Sequence, residues 1–274
     1  VDRDILQSSL DITVRRFPSI AVSIKEGFFW YYLEELSRAP EIIDEMHSPL
    51  MHMPIEDIRK CALRVLVYNN RIAVEFYHAL TDGNGGLIFL KTLVAEYLQQ
   101  KYGIMIPAEK GVLGRLEEPS QEEMEDSFQR YHGPVSASRK ENDAWRLRGT
   151  PEPDGFLNLT CFRLPVAQVK EHARAYGVSI TAFLASVMLL ALQQLQQEQI
   201  RDPKRRKHLK VLIPVNLRNL YPSRTLRNFA MYTTPEIDPR LGQYSLQEIC
   251  KIVHHHMGMD VTAKQMGRRI AANV

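Results

Sequence analysis

The residues whose types and spacing could do chemistry are grouped in Tyr77-His78-Ala79-Leu80-Thr81-Asp82-Gly83. Imidazole titrates near neutrality, so a histidine can take up and return a proton at physiological pH. A general base must also be held in one orientation. His78 falls at the end of an apolar strand pattern, just before a turn, where partial desolvation would keep the ring neutral. Asp82, four residues on, can organise the turn by capping backbone amides or by pairing with an arginine. Gly83, Gly85 and Gly86 permit unusual backbone angles and close approach by a substrate. By residue type alone, a histidine beside a Gly-rich turn serves structure more often than catalysis.

The elements that must position this stretch are readable on either side of it. Ala62–Tyr68 and Arg71–His78 alternate as strands around Asn69-Asn70, a dipeptide tolerant of the positive φ angles of a tight hairpin. In the second strand Ile72, Val74, Phe76 and His78 share one face. After the Gly-rich turn, Leu87, Leu90, Val94, Tyr97 and Leu98 recur at helical spacing to about Tyr102, and Gly103 terminates the run. Upstream, residues 3–16 form an amphipathic helix with Asp2 or Asp4 as N-cap, stopped by Pro18. Residues 19–24 and 28–33 read as two strands around Glu26-Gly27, with Trp30, Tyr31 and Tyr32 assigned to core packing. Residues 107–157 are acidic and then Gly, Pro and Ser-rich, which marks a crossover and places a domain boundary near residue 150. Beyond it, Asn158–Leu164 reads as a strand, Pro165–Tyr176 and Thr181–Gln197 as helices, Val211–Leu217 as an apolar strand and Ser245–Met257 as a helix.

Composition narrows the classes of function. The chain has 274 residues, 45% apolar and 24% charged, the balance of a globular protein with a real core rather than a disordered one. Its net charge of +3 is too small to advertise a nucleic-acid partner. Cys61, Cys161 and Cys250 are odd in number and widely spaced, which suits reduced thiols and a cytoplasmic setting. The longest apolar run, Ile180 to Leu195, is interrupted by Thr181, Ser186, Gln193 and Gln194, so no membrane span is expected. The chain opens on Val1 within a helical pattern and is read as a piece of a longer protein.

Tyr77–Gly83 resembles the HHxxxDG motif of the chloramphenicol acetyltransferase-like superfamily, which includes peptide-synthetase condensation domains, plant BAHD acyltransferases and alcohol acetyltransferases. His78 matches the second histidine, Asp82 the aspartate and Gly83 the glycine, and Tyr77 stands in the place of the first histidine. Pro214-Val215-Asn216-Leu217-Arg218, followed by Thr225-Leu226-Arg227-Asn228-Phe229, resembles a second motif region of the same superfamily. It is most similar to bacterial alcohol acetyltransferase-like proteins. Arg16-Phe17-Pro18 resembles an element near the start of these proteins. The matches fall in the expected order between about residues 3 and 235.

The resemblance implies an α/β fold, two-lobed and chloramphenicol acetyltransferase-like, with mixed, largely antiparallel sheets flanked by helices. Residues 1–150 would form the first lobe, truncated at its start, and 151–274 the beginning of the second, truncated at its end. It implies an acyltransferase in which His78 deprotonates an alcohol or amine acceptor, which then attacks the thioester of acyl-CoA, with an alcohol the preferred acceptor. Acyl-CoA is then a co-substrate, and no cofactor is bound. Asp82 becomes a structural residue paired with Arg218 or, as second choice, Arg16. Thr225, Asn228 and Tyr232 are candidate donors to the oxyanion. Alternatives are a condensation-type enzyme using an acyl carrier protein, and a non-catalytic ligand-binding or scaffold protein.

Three other features have plainer readings. His254-His255-His256 point in different directions on a helix and do not converge on one metal ion. Met46, His47, Met51, His52 and Met53 suit a soft metal by type, but a Met-rich loop against the core explains them. The basic run Arg201, Lys204, Arg205, Arg206, Lys207 and Lys210 reads as a solvated loop, with a CoA phosphate or an acidic carrier protein as its functional alternative.

Overall fold

The computed structural model describes residues 1–45, 50, 52–132, 142–153 and 156–273. Met46, His47 and Met51 lie outside the described residues. Contacts group the chain into two units: Val1–Ser127 with Glu152–Leu159 and Pro222–Phe229, and Phe128–Pro151 with Thr160–Tyr221 and Ala230–Val274. The grouping is discontinuous, since the chain rejoins the first unit at 152–159 and again at 222–229, both beyond the boundary expected near 150.

The first unit opens with α1 (Arg3–Arg15), whose N-cap is Asp2, accepting from the Ile5 amide. A two-stranded antiparallel hairpin follows, β1 (Val22–Glu26) with β2 (Tyr31–Glu35). A three-stranded sheet holds β3 (Ile43–Asp44) parallel to β4 (Leu63–Tyr68), and β4 antiparallel to β5 (Arg71–Phe76). α2 (Ile55–Lys60) precedes β4. Asn69 takes φ 50° at the β4–β5 turn, as a tight hairpin requires. α3 (Gly83–Tyr102) closes on Gly103 in the left-handed region, and α4 (Gln121–Met124) follows. The core packs α1 on α3 over the inner face of β4: Leu6, Leu10, Phe17, Ile20, Val65, Phe89 and Leu93 are fully buried. Phe17 and Phe76 both meet Phe89 edge-on, the arrangement aromatic quadrupoles prefer.

The aromatic run in the first hairpin departs from expectation. Phe28 is 87% exposed and Trp30 62%, and every residue of β2 is exposed. Among the described residues β2 pairs with β1 alone, and its side chains stay at the surface.

α5 (Ser127–Tyr131) leads into the second unit, built on α6 (Val166–Ala175) and α7 (Ile180–Gln199). Two short antiparallel pairs follow: β6 (Leu209–Lys210) with β9 (Glu236–Ile237), and β7 (Ile213–Asn216) with β8 (Ala230–Thr233). α8 (Leu246–Asp260) carries a Ser245–Glu248 capping box, and α9 (Ala263–Asn273) follows it. Asn158–Leu164, expected as a strand, joins no ladder among the described residues. α7 is long and apolar enough to cross a membrane by length and composition alone. In this unit it packs on α6 and α8 and buries Ala182, Ala185 and Leu189. Its buried Gln193 and Gln196 donate to the carbonyls of Tyr244 and Lys207, polar anchoring that a core helix needs.

Candidate active site

His78 does not lie on the strand. β5 ends at Phe76, and residues 78–80 form a turn, closed by the Leu80 amide on the Tyr77 carbonyl at 2.9 Å. The side chain is exposed, and the desolvation expected at a strand end is not met. Ile72, Val74 and Phe76 pack against the core, whereas His78, beyond the end of the strand, is not part of that cluster.

The Gly-rich stretch is the first turn of α3 rather than a loop before it. Asp82, 6% exposed, is the N-cap: Oδ1 accepts from the amides of Asn84 at 3.0 Å and Gly85 at 3.1 Å. Oδ2 accepts from the Phe229 amide at 2.9 Å. One carboxylate thus satisfies two orphan donors of the helix and one donor of a segment 147 residues away.

That distant segment is held at two further points. Thr81 Oγ1 donates to the Leu226 carbonyl at 2.7 Å. Asn228 Nδ2 donates to the His78 carbonyl at 3.1 Å and lies 3.4 Å from His78 Nδ1. The approach is close enough to dictate a glycine. A Cβ on Gly85 would stand 2.2 Å from both the Leu226 carbonyl oxygen and Thr81 Oγ1, while one on Gly83 would meet nothing within 4 Å. Neither these two nor Gly86 has positive φ. The steric demand expected across Gly83, Gly85 and Gly86 therefore falls mainly on Gly85, with a lesser contact of Gly86 against the Phe76 ring.

Behind the latch sits a buried ion pair. Arg16 Nη1 and Nη2 reach the two Glu123 oxygens at 2.8 and 2.9 Å, and Nε donates to the Gly114 carbonyl. Both side chains are about 5% exposed or less. Burial alone would raise the Glu123 carboxyl above its ordinary value, but hydrogen bonds from Arg16 and the Ser120 amide, with the guanidinium charge, hold it below. The Glu123 carbonyl accepts the Leu226 amide at 2.8 Å, and the Glu125 carbonyl accepts Thr225 Oγ1 at 2.6 Å. Arg16 is thus committed to Glu123 and is not the partner of Asp82.

Of the two candidate oxyanion donors in the first unit, Asn228 is at His78. Thr225 is buried with its hydroxyl donating to Glu125. Tyr232 lies on β8 in the second unit, where Arg269 stacks over its ring at 5.5 Å. Arg218 also belongs to the second unit, in a short turn after β7, with its amide and Nη1 both on Asn216 Oδ1 at 3.1 Å. His254 and His255 are exposed, while His256 faces Asp260 at 3.8 Å. Sequence reasoning gave no role to Thr81 or Glu123, and did not single out Gly85 from Gly83 and Gly86. Glu123 follows Ser120 by three residues, the spacing of a capping box, which was its one local signal.

Chemically, the arrangement is an exposed imidazole on a stiff turn. The carbonyl of that residue is tied to Asn228, and its following helix is capped by Asp82. Such a ring can exchange a proton with a ligand without the backbone moving.

The fold is that of the chloramphenicol acetyltransferase-like and condensation-domain proteins. Polyketide synthase associated protein 5 from Mycobacterium tuberculosis superposes with a TM-score of 0.59 at 14% identity, over 98% of this chain and 68% of that one. TRI101 of F. sporotrichioides, solved with coenzyme A and T-2, superposes at 0.58 and 10% identity, over 98% and 67%. The first condensation domain of the calcium-dependent antibiotic synthetase, with a substrate analogue, superposes at 0.53 and 14% identity, over 100% and 69%. The chain spans about two thirds of the length of each. No family model and no curated protein matches the sequence.

Proposed function

We propose that the protein is an acyltransferase that moves an acyl group from acyl-CoA to a small alcohol or amine, an alcohol preferred, with His78 as general base. The observation that carries this reading is the three-point latch of Leu226, Asn228 and Phe229 onto the His78–Asp82 turn. Two sequence motifs 150 residues apart meet there and fix the backbone of one exposed histidine. In this reading His78 takes the acceptor's proton as its oxygen or nitrogen attacks the thioester carbonyl, and the thiolate of CoA leaves. No acyl-enzyme forms. Asn228 is the candidate donor to the oxyanion. Asp82 supports the turn, and an Asp82→Ala/Arg218→Ala double-mutant cycle tests the coupling to Arg218 that the motif resemblance implies.

The test is release of free CoA across a panel of alcohols and amines, read with a thiol reagent, beside the same panel with carrier-bound acyl donors. Turnover lost in His78→Ala supports the proposal. Turnover indifferent to His78→Ala rejects it. Turnover only with carrier-bound donors moves the assignment to a condensation-type enzyme.

The exposure of His78 favours a second reading, a non-catalytic protein that binds an acyl or other apolar ligand. It is chosen if acyl-CoA or acceptor binds saturably by calorimetry while neither donor class turns over.

A further inference from the structure

The second unit contains an open cleft of about 1030 Å³ that the acyl-transfer reading does not use. That volume is at the upper limit of small-molecule sites. One wall is the segment around Trp145, the other the C-terminal end of α7 and the loop that follows. Arg146, Arg148, Arg201, Arg205 and Lys207 line it. Among the described residues, none of these five side chains has a hydrogen-bond or ion-pair partner. Asp143, Glu198 and Asp202 also line it, leaving an excess of two positive charges (5 − 3). One of those carboxylates is occupied, since Asp202 Oδ1 caps the Lys204 amide at 3.0 Å.

The cleft is built on a fixed frame. Gln196 Nε2 donates to the Lys207 carbonyl at 3.1 Å, and Arg206 Nε to the Ile200 carbonyl at 3.2 Å. On the other wall the Trp145 amide donates to the His208 carbonyl at 2.8 Å, next to a bridge between Ala144 and His208. Trp145 is half-buried and packs on the core of this unit, so an indole is held at the cleft. Cations that outnumber the carboxylates around them and pair with none of them repel one another, and a multivalent anion relieves that repulsion. Arginine forks match phosphate oxygens in pairs. An indole face suits a planar base.

We propose that this cleft binds a polyphosphate carried by an aromatic base, a nucleotide-type ligand, with the five cations on the phosphates and Trp145 on the base. Free nucleotides and the nucleotide end of coenzyme A share that chemistry. The proposal stands apart from the role of His78, so binding is measured in His78→Ala as well as in the unaltered chain.

The experiment is calorimetric titration with ADP, coenzyme A and inorganic pyrophosphate at low salt. Trp145 fluorescence is read in a Trp30→Phe background, where it is the sole tryptophan. The expected result is saturable binding of ADP and coenzyme A, tighter than pyrophosphate, with a Trp145 signal from the two base-carrying ligands alone. Arg201→Glu/Arg205→Glu should weaken ADP at least tenfold, and Trp145→Phe should remove the optical signal while phosphate binding persists. Coenzyme A binding more tightly than ADP identifies the former as the source. The proposal is overturned if ADP does not saturate, if the charge reversal leaves its affinity unchanged, or if pyrophosphate matches ADP. Capture of an acidic carrier protein by the same arginines without ADP competition also overturns it. Circular dichroism of each variant separates loss of binding from loss of fold.

Discussion

Two regions of this chain gather polar groups in opposite ways. Around the His78 turn every key group is partnered: Asp82 accepts three backbone amides, Thr81 and Asn228 donate to carbonyls, and Arg16 is locked on Glu123. In the Trp145 cleft five cations line one space with no internal partner among the described residues. The first arrangement spends its polar groups on holding one backbone shape. The second leaves them available for something that binds. The comparison predicts that substitutions in the first region lower stability, whereas substitutions in the second alter ligand binding and leave stability alone.

The largest effect should come from the buried ion pair. Arg16→Ala leaves Glu123 buried without its counter-ion, at a cost of about 3–5 kcal/mol in urea unfolding. Arg16→Met/Glu123→Leu should restore most of that loss, because it removes both buried charges. A double variant as unstable as the single one would mean that shape, not charge, is what the pair supplies. The same pair sets a pH dependence. Glu123 has a lowered pKa in the folded chain, so its contribution is complete above the unfolded carboxylate value of about 4.3 and fades as pH falls below it. Unfolding midpoints measured from pH 6 downward should drop more for the unaltered chain than for the double variant.

Next comes Gly85→Ala. Its Cβ would press on a backbone carbonyl and a short buried side chain, neither of which can swing aside, so a loss of about 3 kcal/mol is expected. Gly83→Ala, with open space on a helix, is the control and should be neutral or stabilising by up to about 1 kcal/mol. Equal effects at the two glycines would break the account of the latch. Asp82→Ala should cost about 2–3 kcal/mol, from a lost cap and a buried Phe229 amide without its acceptor. Hydrogen exchange at Phe229 should accelerate with it. Thr81→Val should cost about 1 kcal/mol, one hydrogen bond's worth. The smallest effect belongs to the cleft: Arg201→Ala/Arg205→Ala should move stability by less than about 0.5 kcal/mol. A large loss there would show that the cleft, too, is structural.

Much of this was legible locally. The helices read at 3–16, from Leu87 to about Tyr102, and at 165–176, 181–197 and 245–257 all form, with bounds shifted by a few residues and α3 starting a turn earlier, and Asp2, Ser179 and Ser245 sit where caps form. Asn69-Asn70 marked its hairpin. The motif residues His78 and Asp82 and the run Thr225–Phe229 stood out before any geometry was known. Less was legible where a neighbour decides the outcome. The alternation at 158–164 predicts a strand, yet a strand needs a partner and none pairs with it among the described residues. Trp30, Tyr31 and Tyr32 have the composition of a core but face outward on a sheet of two strands.

The amino-acid order by itself determined the local elements, the resemblance in its two motif regions and the choice of His78 as the residue to watch. Periodicity, caps and turn residues act over a few positions, so they can be read a few positions at a time. Only the tertiary structure decided that Asp82 would receive the Phe229 amide, that Gly85 rather than Gly83 would be the glycine in contact, and that Arg16 would belong to Glu123. Those pairings join residues more than 100 positions apart. No local pattern names the partner of a hydrogen-bonding group; it is set by which surfaces pack together and by the cost of leaving a buried donor or acceptor unsatisfied.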